Sequence, residues 1–540
     1  MRFRLSASGT AENSPPRSPK KRNKMKNNYD VVIIGAGISG LIAGALLVKK
    51  GKKVLILESQ PKIGGYLSGF ERKGYYFDVG ITRSNISYVG PYLREAGVLN
   101  DIHFVKIDGD YHINGRYIPY NNLKEYFAGV ADAFPEQKAG ILSFYNKEVA
   151  HREKNMKTMM YSDFKNMGKF KKYLTILKIF AMMPGMMRDK QNDNSMLKKY
   201  IDESSEAFAF LCTRPDQVDY RGHMSASNYV GRILSQLYNY YPREGYLHLC
   251  NLLRKVIEDN SGELRLNSRA LKIKVENNVA IGVEYQVKDK QVETVAGKNI
   301  VSATDLNKTF HDLIGTDFIP PAEMRKLEGS VLGSSVPILF LGVRIPSQRV
   351  CQLFNGKEEL NYFPAVKKLN TDPNDIDFFV NCNMVIHASS LVNPDHAPEG
   401  CSNIQIYLSC PPVGWQQDWG LMNGQRTGTY GELKKKVIGD VLSSLENLIP
   451  ELKDRSIIEV CELGTPHTNE RYTGNTHGVA LGFNFDGYLL SAPRFRSYYN
   501  CLSTVSNLFF IGHQTGYGGG LGTALGSAKR VANLICQKAH

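Results

Sequence analysis

The stretch VVIIGAGISG, residues 31–40, is followed eighteen residues after its last glycine by Glu58. Together they supply the residue types from which a dinucleotide site is built. Gly35 permits a sharp turn out of a strand, Gly37 lets a pyrophosphate approach the backbone, and Gly40 lets the next helix pack close to the strand. Ala36 and Ser39 complete the turn, and a helix beginning here turns free N–H groups and its positive dipole end toward the phosphates. Glu58, with Ser59 beside it, stands where a carboxylate accepts hydrogen bonds from ribose hydroxyls. A glycine pattern alone is weak. Here it follows a β-branched strand, opens a helix and has its acid at the end of the next strand, so a dinucleotide site is expected.

Two further glycine clusters need an explanation. Gly64 and Gly65 lie six residues beyond Glu58, where a nicotinamide-binding unit needs no second close approach but a flavoprotein does. Near the other end, GHQTGYGGGLGTALGSA spans 512–528. A separate nucleotide domain would need its own strand, helix, second strand and acid, and the twelve residues after 528 are too few. The late loop is therefore expected to be the far end of the first site, with 35–40 at the pyrophosphate and 512–524 at the other end of the cofactor.

The elements that position these loops follow from pattern. Residues 31–34 read as a buried parallel strand. Leu249, Leu252, Leu253 and Val256 recur at helical spacing, and ENNVAIGV, 276–283, reads as a hairpin. A chain of 540 residues with 42% apolar and 22% charged residues is an ordinary globular composition, long enough for two or more domains. The charge of +15 is concentrated: 1–28 carry +7 and 147–199 carry +8, leaving the rest balanced. The first is read as a basic disordered tail. No nucleic-acid motif accompanies the charge, so no nucleic-acid partner is expected. Nine scattered cysteines without C-x-x-C or zinc spacing fit a reducing, cytoplasmic setting and no metal. The segment 147–199 holds nine of the fifteen methionines. Within it FKKYLTILKIFAMMPGMM, 170–187, is too short, charged and interrupted to span a bilayer. It reads either as a core helix under a solvated basic face or as a membrane-contact or lipid-entry segment.

These motifs together resemble the large flavin-dependent family that contains amine oxidases, protoporphyrinogen oxidase and phytoene desaturases. The carriers are 31–58, the double glycine 64–65, and Phe77-Asp78-x-Gly80. YNYYPREGY, 238–246, matches a desaturase pattern except that Glu244 replaces a glycine. NIVSATD, 299–305, resembles the strand that returns to the nucleotide domain. GTPHTNERYTGNTHGVALGF, 464–483, resembles a stretch of carotene isomerases and retinol saturases. Tyr66 and Leu67 stand where the family usually has a basic residue, and Gly522-Thr523 where desaturases have Pro-Gly. The resemblance implies an α/β fold: a Rossmann-type FAD-binding domain (29–90, 240–305 and 461–540) interleaved with an α+β substrate domain (91–239 and 306–460), a p-hydroxybenzoate-hydroxylase- or amine-oxidase-like layout. It implies non-covalent FAD, held by Gly35, Ala36, Gly37, Ser39, Gly40, Glu58, Ser59, Gly64, Gly65, Gly80, Val275, Ala303, Gly512, His513, Gly519, Gly520, Leu521, Gly522, Thr523 and Ala524.

The activity implied is oxidoreduction at C–C or C=C bonds of an apolar polyene or isoprenoid, by desaturation, saturation or cis–trans isomerisation. Alternatives are a flavin amine oxidase or protoporphyrinogen-oxidase-like enzyme, and a prenyl-lipid-binding escort of the dissociation-inhibitor type, in which the glycine loop is degraded. No catalytic acid or base is readable.

Overall fold

The structure is a computed structural model. It describes residues 26–150 except 121, 170–177 except 172, 195–212, 238–330 except 289, 335–365, 378–408, 421–483 except 423–424, and 501–537 except 516–519. Residues 152, 153, 168, 332 and 333 are described besides. The N-terminal tail through 25, most of 147–199, the tryptophan-bearing loop around 415–419 and Gly519 lie outside the described residues.

One sheet runs in the order Glu263–Arg265, Val54–Leu57, Lys26–Ile34, Val292–Ser302, Val279–Val287, Ser268–Glu276, and Leu508–Phe510 also pairs with Val292–Ser302. The pairings between Lys26–Ile34 and its two neighbours are parallel, as is the pairing of Leu508–Phe510, whereas 268–302 forms an antiparallel meander. The helix Ile38–Val48 is buried along its whole length. It is covered by Tyr246–Asp259 and Gly520–Gln537 in one apolar cluster. Its apolar residues run all around it, which is why the stretch looks like a marginal membrane span in sequence. Among the described residues no helix is long and apolar enough to cross a membrane.

The second sheet runs Ile458–Gly464, Ile338–Val343, Ser402–Leu408, Met384–His387, Glu359–Phe363, Gly109–Ile113, Arg116–Pro119. Its residues alternate. Leu339, Leu341, Leu360, Ile386, Ile404 and Ile406 face the helix Thr429–Leu445. Phe340, Glu359, Asn361, His387, Gln405 and Tyr407 share the opposite face. The strand Tyr75–Asp78 is laid on that face: Tyr75 and Phe77 pack with Phe340 and Tyr407, and Asn403 Nδ2 and Gln405 Nε2 donate to the carbonyls of Tyr76 and Asp78, each at 2.6 Å.

This is the interleaved α/β layout that the resemblance implies, but three segments sit on the other side of the expected boundaries. Ile458–Gly464 is an edge strand of the second sheet, although the resemblance implies 461–464 in the nucleotide-binding unit. Leu306, Phe310, Leu313, Ile319 and Leu327 pack on the first sheet, and the helix Ile86–Ala96 buries Val89, Leu93 and Ala96 in the first unit's core. In each case a long-range apolar contact, invisible in local sequence, decides the assignment.

Candidate functional site

The first loop is built as its glycines require. Gly35 has φ +102°, and a Cβ there would stand 3.3 Å from the Ala303 carbonyl oxygen. A Cβ on Gly40 would stand 2.0 Å from the Gly35 carbonyl oxygen, so only glycine lets helix and turn meet. Gly37 differs, since a Cβ there would meet nothing within 4 Å and would point into open space. It precedes the helix Ile38–Val48, which has no side-chain cap, so its first N–H groups are left for a ligand.

Glu58 closes this turn from beneath. Its Oε2 accepts the Ala36 N–H at 2.7 Å, its Oε1 the Gln60 N–H at 2.8 Å and the Ser59 hydroxyl at 3.2 Å. Burial pushes its pKa up, and the backbone N–H groups oppose that. The double glycine folds back onto the same loop: Gly64 N–H donates to Ala36 O at 2.9 Å, and a Cβ on Gly65 would lie 3.4 Å from Gly37 Cα.

The late loop reaches the first one. Ile511 N–H donates to Ser302 O and Ala303 N–H to Ile34 O, both at 2.9 Å, so the strands holding the two loops are stitched side by side. A Cβ on Gly512 would lie 3.9 Å from Ser39 Oγ. A single cavity of about 1270 Å³ runs between them. Its wall includes Gly35, Gly37, Ser39, Glu58, Ser59, Gly64, Gly65, Ala303, Gly512, His513 and Ala524. The question raised by the second glycine loop therefore has a geometric answer: both chain ends wall one cavity.

A family described as "NAD(P)-binding Rossmann-like domain" matches residues 33–95. Prolycopene isomerase of Daucus carota is 24% identical over 84% of this chain and 71% of its own length. The 1-hydroxycarotenoid 3,4-desaturase of a Flavobacterium species is 24% identical over 93% and 98%, and all-trans-retinol 13,14-reductase of Danio rerio is 23% identical over 95% and 87%. The chain is a homologue of these carotenoid and retinol enzymes. Among solved structures, an oxidoreductase of Methanosarcina mazei superposes with a TM-score of 0.57 at 13% identity, covering 94% of this chain and all of that one. Cyclohexylamine oxidase of Brevibacterium oxydans gives 0.56 at 14%, over 95% and 100%. At these identities the structures show the shared fold.

The other expected site residues of this carotenoid-enzyme homologue are placed differently. Val275 is not at the cavity. It pairs with Ala280 one step from the hairpin turn, at the far end of its strand, and packs under the first sheet. The strand meets the wall at its beginning, through Ser268, Arg269, Ala270 and Leu271, because Ser268 N–H bonds to Glu58 O at 2.7 Å. At about 3.3 Å per residue, Val275, four residues beyond Leu271, is then some 13 Å from the wall. Ala36 and Gly40 support the turn from behind the wall. A Cβ on Gly80 would lie 2.7 Å from Tyr66, and the neighbouring Val79 lines the cavity instead. Gly520, Leu521, Gly522 and Thr523 open the last helix outside the wall, which that helix reaches at Ala524.

Sequence reasoning missed a clamp. Asp305, 1% exposed, accepts from Thr476 Oγ1 at 2.7 Å, Thr476 N–H at 3.1 Å and Gln514 Nε2 at 2.8 Å, while Gln514 Oε1 accepts Leu306 N–H at 2.7 Å. One carboxylate thus ties the return strand, the 476 turn and the late loop together. Its signal was present in NIVSATD, but its partners lie 171 and 209 residues away. Next to it, His513 lines the cavity and its Nε2 has no partner among the described residues. Burial pushes the His513 pKa down, against the pull of Asp305, so the ring is neutral near pH 7. The cationic side chains at the wall are Lys62, Arg269, Lys308 and Arg471, among others. Tyr66, at a position where the resemblance implies a basic residue, donates to Gly478 O at 2.8 Å.

Asp78 is a second buried carboxylate. Tyr76 OH donates to it at 2.8 Å, Tyr246 N–H at 3.0 Å, and Tyr241 OH to its other oxygen. Burial pushes its pKa up to about 6 against these three donors. The aspartate of the Phe-Asp-x-Gly element is thereby a fastener between the two units.

Proposed function

We propose that the chain is an oxidoreductase that holds FAD non-covalently in this cavity and acts on C–C or C=C bonds of an apolar polyene or isoprenoid. The observation that carries the reading is the meeting of Gly37, Glu58, Gly64, Gly512 and His513 around one cavity, together with descent shared with carotenoid and retinol enzymes. The residues present fit the group. Gly37 leaves open space where a pyrophosphate approaches, the helix offers uncapped N–H groups, and His513 presents a buried ring nitrogen without a partner among the described residues. When bound, FAD would supply the two-electron chemistry at the substrate carbon. The protein's share is to orient and to exclude water. Ile338, Phe340, Phe70, Leu306 and Leu313 make part of the same wall apolar, which suits a hydrocarbon chain. The test is a visible spectrum after reconstitution with FAD, followed by anaerobic titration with carotenoids, retinoids and amines. Absence of flavin absorption would refute the cofactor, and reduction by amines with peroxide formation in air would move the chain to the amine-oxidase side.

We further propose contact with an anionic membrane surface. On the described part of the 170–187 segment, Phe170, Tyr173, Leu174 and Leu177 are 75, 60, 42 and 45% exposed, at the i, i+3, i+4, i+7 spacing of one helical face. Lys171 beside them is also exposed, in a segment of net charge +8. Apolar anchors flanked by cations suit an interfacial helix.

A further inference from the structure

The second sheet turns a row of polar side chains toward the nucleotide-binding unit, and of these only the Gln405 amide nitrogen, on the Asp78 carbonyl, has a part described above. Glu359 is paired with His387, His387 with Gln405, and Gln405 with Phe340. These four side chains therefore cross four neighbouring strands on one face. Phe340 belongs to the cavity wall. With strands about 4.8 Å apart, Gln405 stands roughly 5 Å, His387 roughly 10 Å and Glu359 roughly 14 Å beyond it. Asn361, two residues after Glu359, points to the same face. None of the four polar residues is more than 1% exposed. From the other unit, the Tyr241 ring lies 5.3 Å from that of His387, Tyr246 N–H bonds to Asp78, whose carbonyl Gln405 holds, and Ser84 follows Arg83, the partner of Glu359.

Gln405 Nε2 donates to the Asp78 carbonyl and the Tyr407 hydroxyl, and Glu359 Oε1 accepts from Tyr120, but the other polar atoms of this row lack partners among the described residues. Both amide atoms of Asn361, Gln405 Oε1, Glu359 Oε2, the Tyr246 hydroxyl and both ring nitrogens of His387 make no hydrogen bond with a described residue. Ser84 Oγ neighbours the Tyr246 hydroxyl, and His387 neighbours the Glu358 carbonyl, in both cases without a well-formed bond. Buried polar groups are as a rule hydrogen-bonded, and a concentration of exceptions in one interface calls for a function. The charges are balanced. Arg83 forms an ion pair with Glu359, and burial beside Arg83 keeps His387 neutral, its pKa pushed down to about 3. A carboxylate or ammonium would enter such a place without a counter-ion. A neutral group would not need one, and the row offers donors and acceptors together.

We infer that this row recognises a neutral hydroxyl carried by the substrate, whose apolar body lies along Ile338 and Phe340 in the cavity. This rests on the polyene reading above and narrows it to an oxygenated isoprenoid. A hydroxyl both donates and accepts, so it can satisfy Asn361 or Tyr246 and Gln405 or Glu359 at once. A hydrocarbon end would leave them all unpaired, and a site built to bond a hydroxyl discriminates strongly against its absence.

The test uses the FAD-loaded full chain and two C20 polyenes, an alcohol and the hydrocarbon that differs from it only by that hydroxyl. Binding is read from the polyene absorption shift and turnover from anaerobic flavin absorbance. The alcohol is expected to exceed the hydrocarbon in kcat/KM by at least about a hundredfold. Tyr246→Phe and Asn361→Leu are expected to bring that ratio to within about tenfold of one. Because each removes polar atoms that lack partners, each is also expected to raise the Tm of the ligand-free protein, by roughly 1–2 °C. A wild-type ratio near one, a ratio unchanged in both variants, or a fall of Tm in both would overturn the inference. The last would mean that the row is satisfied internally and serves the fold. If Asn361→Leu does not fold, Tyr246→Phe, which loses a single oxygen atom, decides. If both polyenes are used equally, the recognition site alone falls. If neither binds, the polyene reading falls and takes the site with it.

Discussion

Gly37 and Gly40 belong to the same motif, yet substitution should separate them into a ligand-facing and a packing glycine. At Gly40 a Cβ would sit 2.0 Å from a backbone oxygen, so Gly40→Ala forces helix and turn apart. Overpacking of this kind costs about 1–3 kcal/mol, and more where the obstacle is backbone. At Gly37 a Cβ meets no protein atom within 4 Å, and the residue has φ −66° and ψ 173°, which alanine adopts freely. Gly37→Ala should therefore leave the FAD-free protein as stable as wild type, or about 0.4–1 kcal/mol more stable through the restricted unfolded chain. Its methyl group would hold a pyrophosphate off the backbone by about one bond length. Losing two hydrogen bonds to a charged phosphate, at about 1.5–3 kcal/mol each, weakens FAD binding by roughly 3–6 kcal/mol, on the order of 10²- to 10⁴-fold in Kd. Urea unfolding of the FAD-free protein and fluorescence titration with FAD measure the two quantities separately. Wild-type affinity in Gly37→Ala, or a loss of stability there equal to that of Gly40→Ala, would refute the assignment of the phosphate end of the cavity.

Three more outcomes are expected. Because burial raises the Asp78 pKa to about 6, the folded protein keeps a proton that the unfolded chain releases near pH 4. Stability should thus fall as pH rises from about 4 to 6, by up to roughly 3 kcal/mol; urea unfolding across that range should show a slope that Asp78→Asn removes. Asp305→Ala strips the acceptor from Thr476 and Gln514 and should cost about 3 kcal/mol or more in unfolding free energy, with weaker FAD binding because the late loop is no longer held; Asp305→Asn should recover part of both. Replacing Phe170, Leu174 and Leu177 by serine should abolish cosedimentation with anionic liposomes while leaving FAD absorbance in place; undiminished cosedimentation would end the membrane proposal.

Much of the first loop was legible because its logic is local. Gly35, Gly37 and Gly40 sit within six residues, and the strand, turn and helix that interpret them are contiguous. The role of the late loop could be argued from what its surroundings lacked, but its contact with Ser39 depends on a pairing of Leu508–Phe510 with Val292–Ser302 that no periodicity specifies. Val275 was misplaced because the alternation of a strand tells which residues share a face, not which end of the strand meets a ligand. The row Glu359, Asn361, His387 and Gln405 was invisible for a related reason. Polar residues at every second position are what a solvated face looks like, and only the strand Tyr75–Asp78 laid across it makes that face an interior.

The pairing of Leu508 with Ile300 joins residues about two hundred positions apart, and it brings in the loop that walls the cavity opposite Gly37. During synthesis the glycine turn and Glu58 leave the ribosome early and wait, half-made, while the second sheet is threaded between them and their closing segment. Contacts of such separation form late and slowly, so a chain stopped before 508 would hold most of a core and no closed site. The closed cavity is thus a property of the finished chain, since it needs the two distant glycine loops side by side.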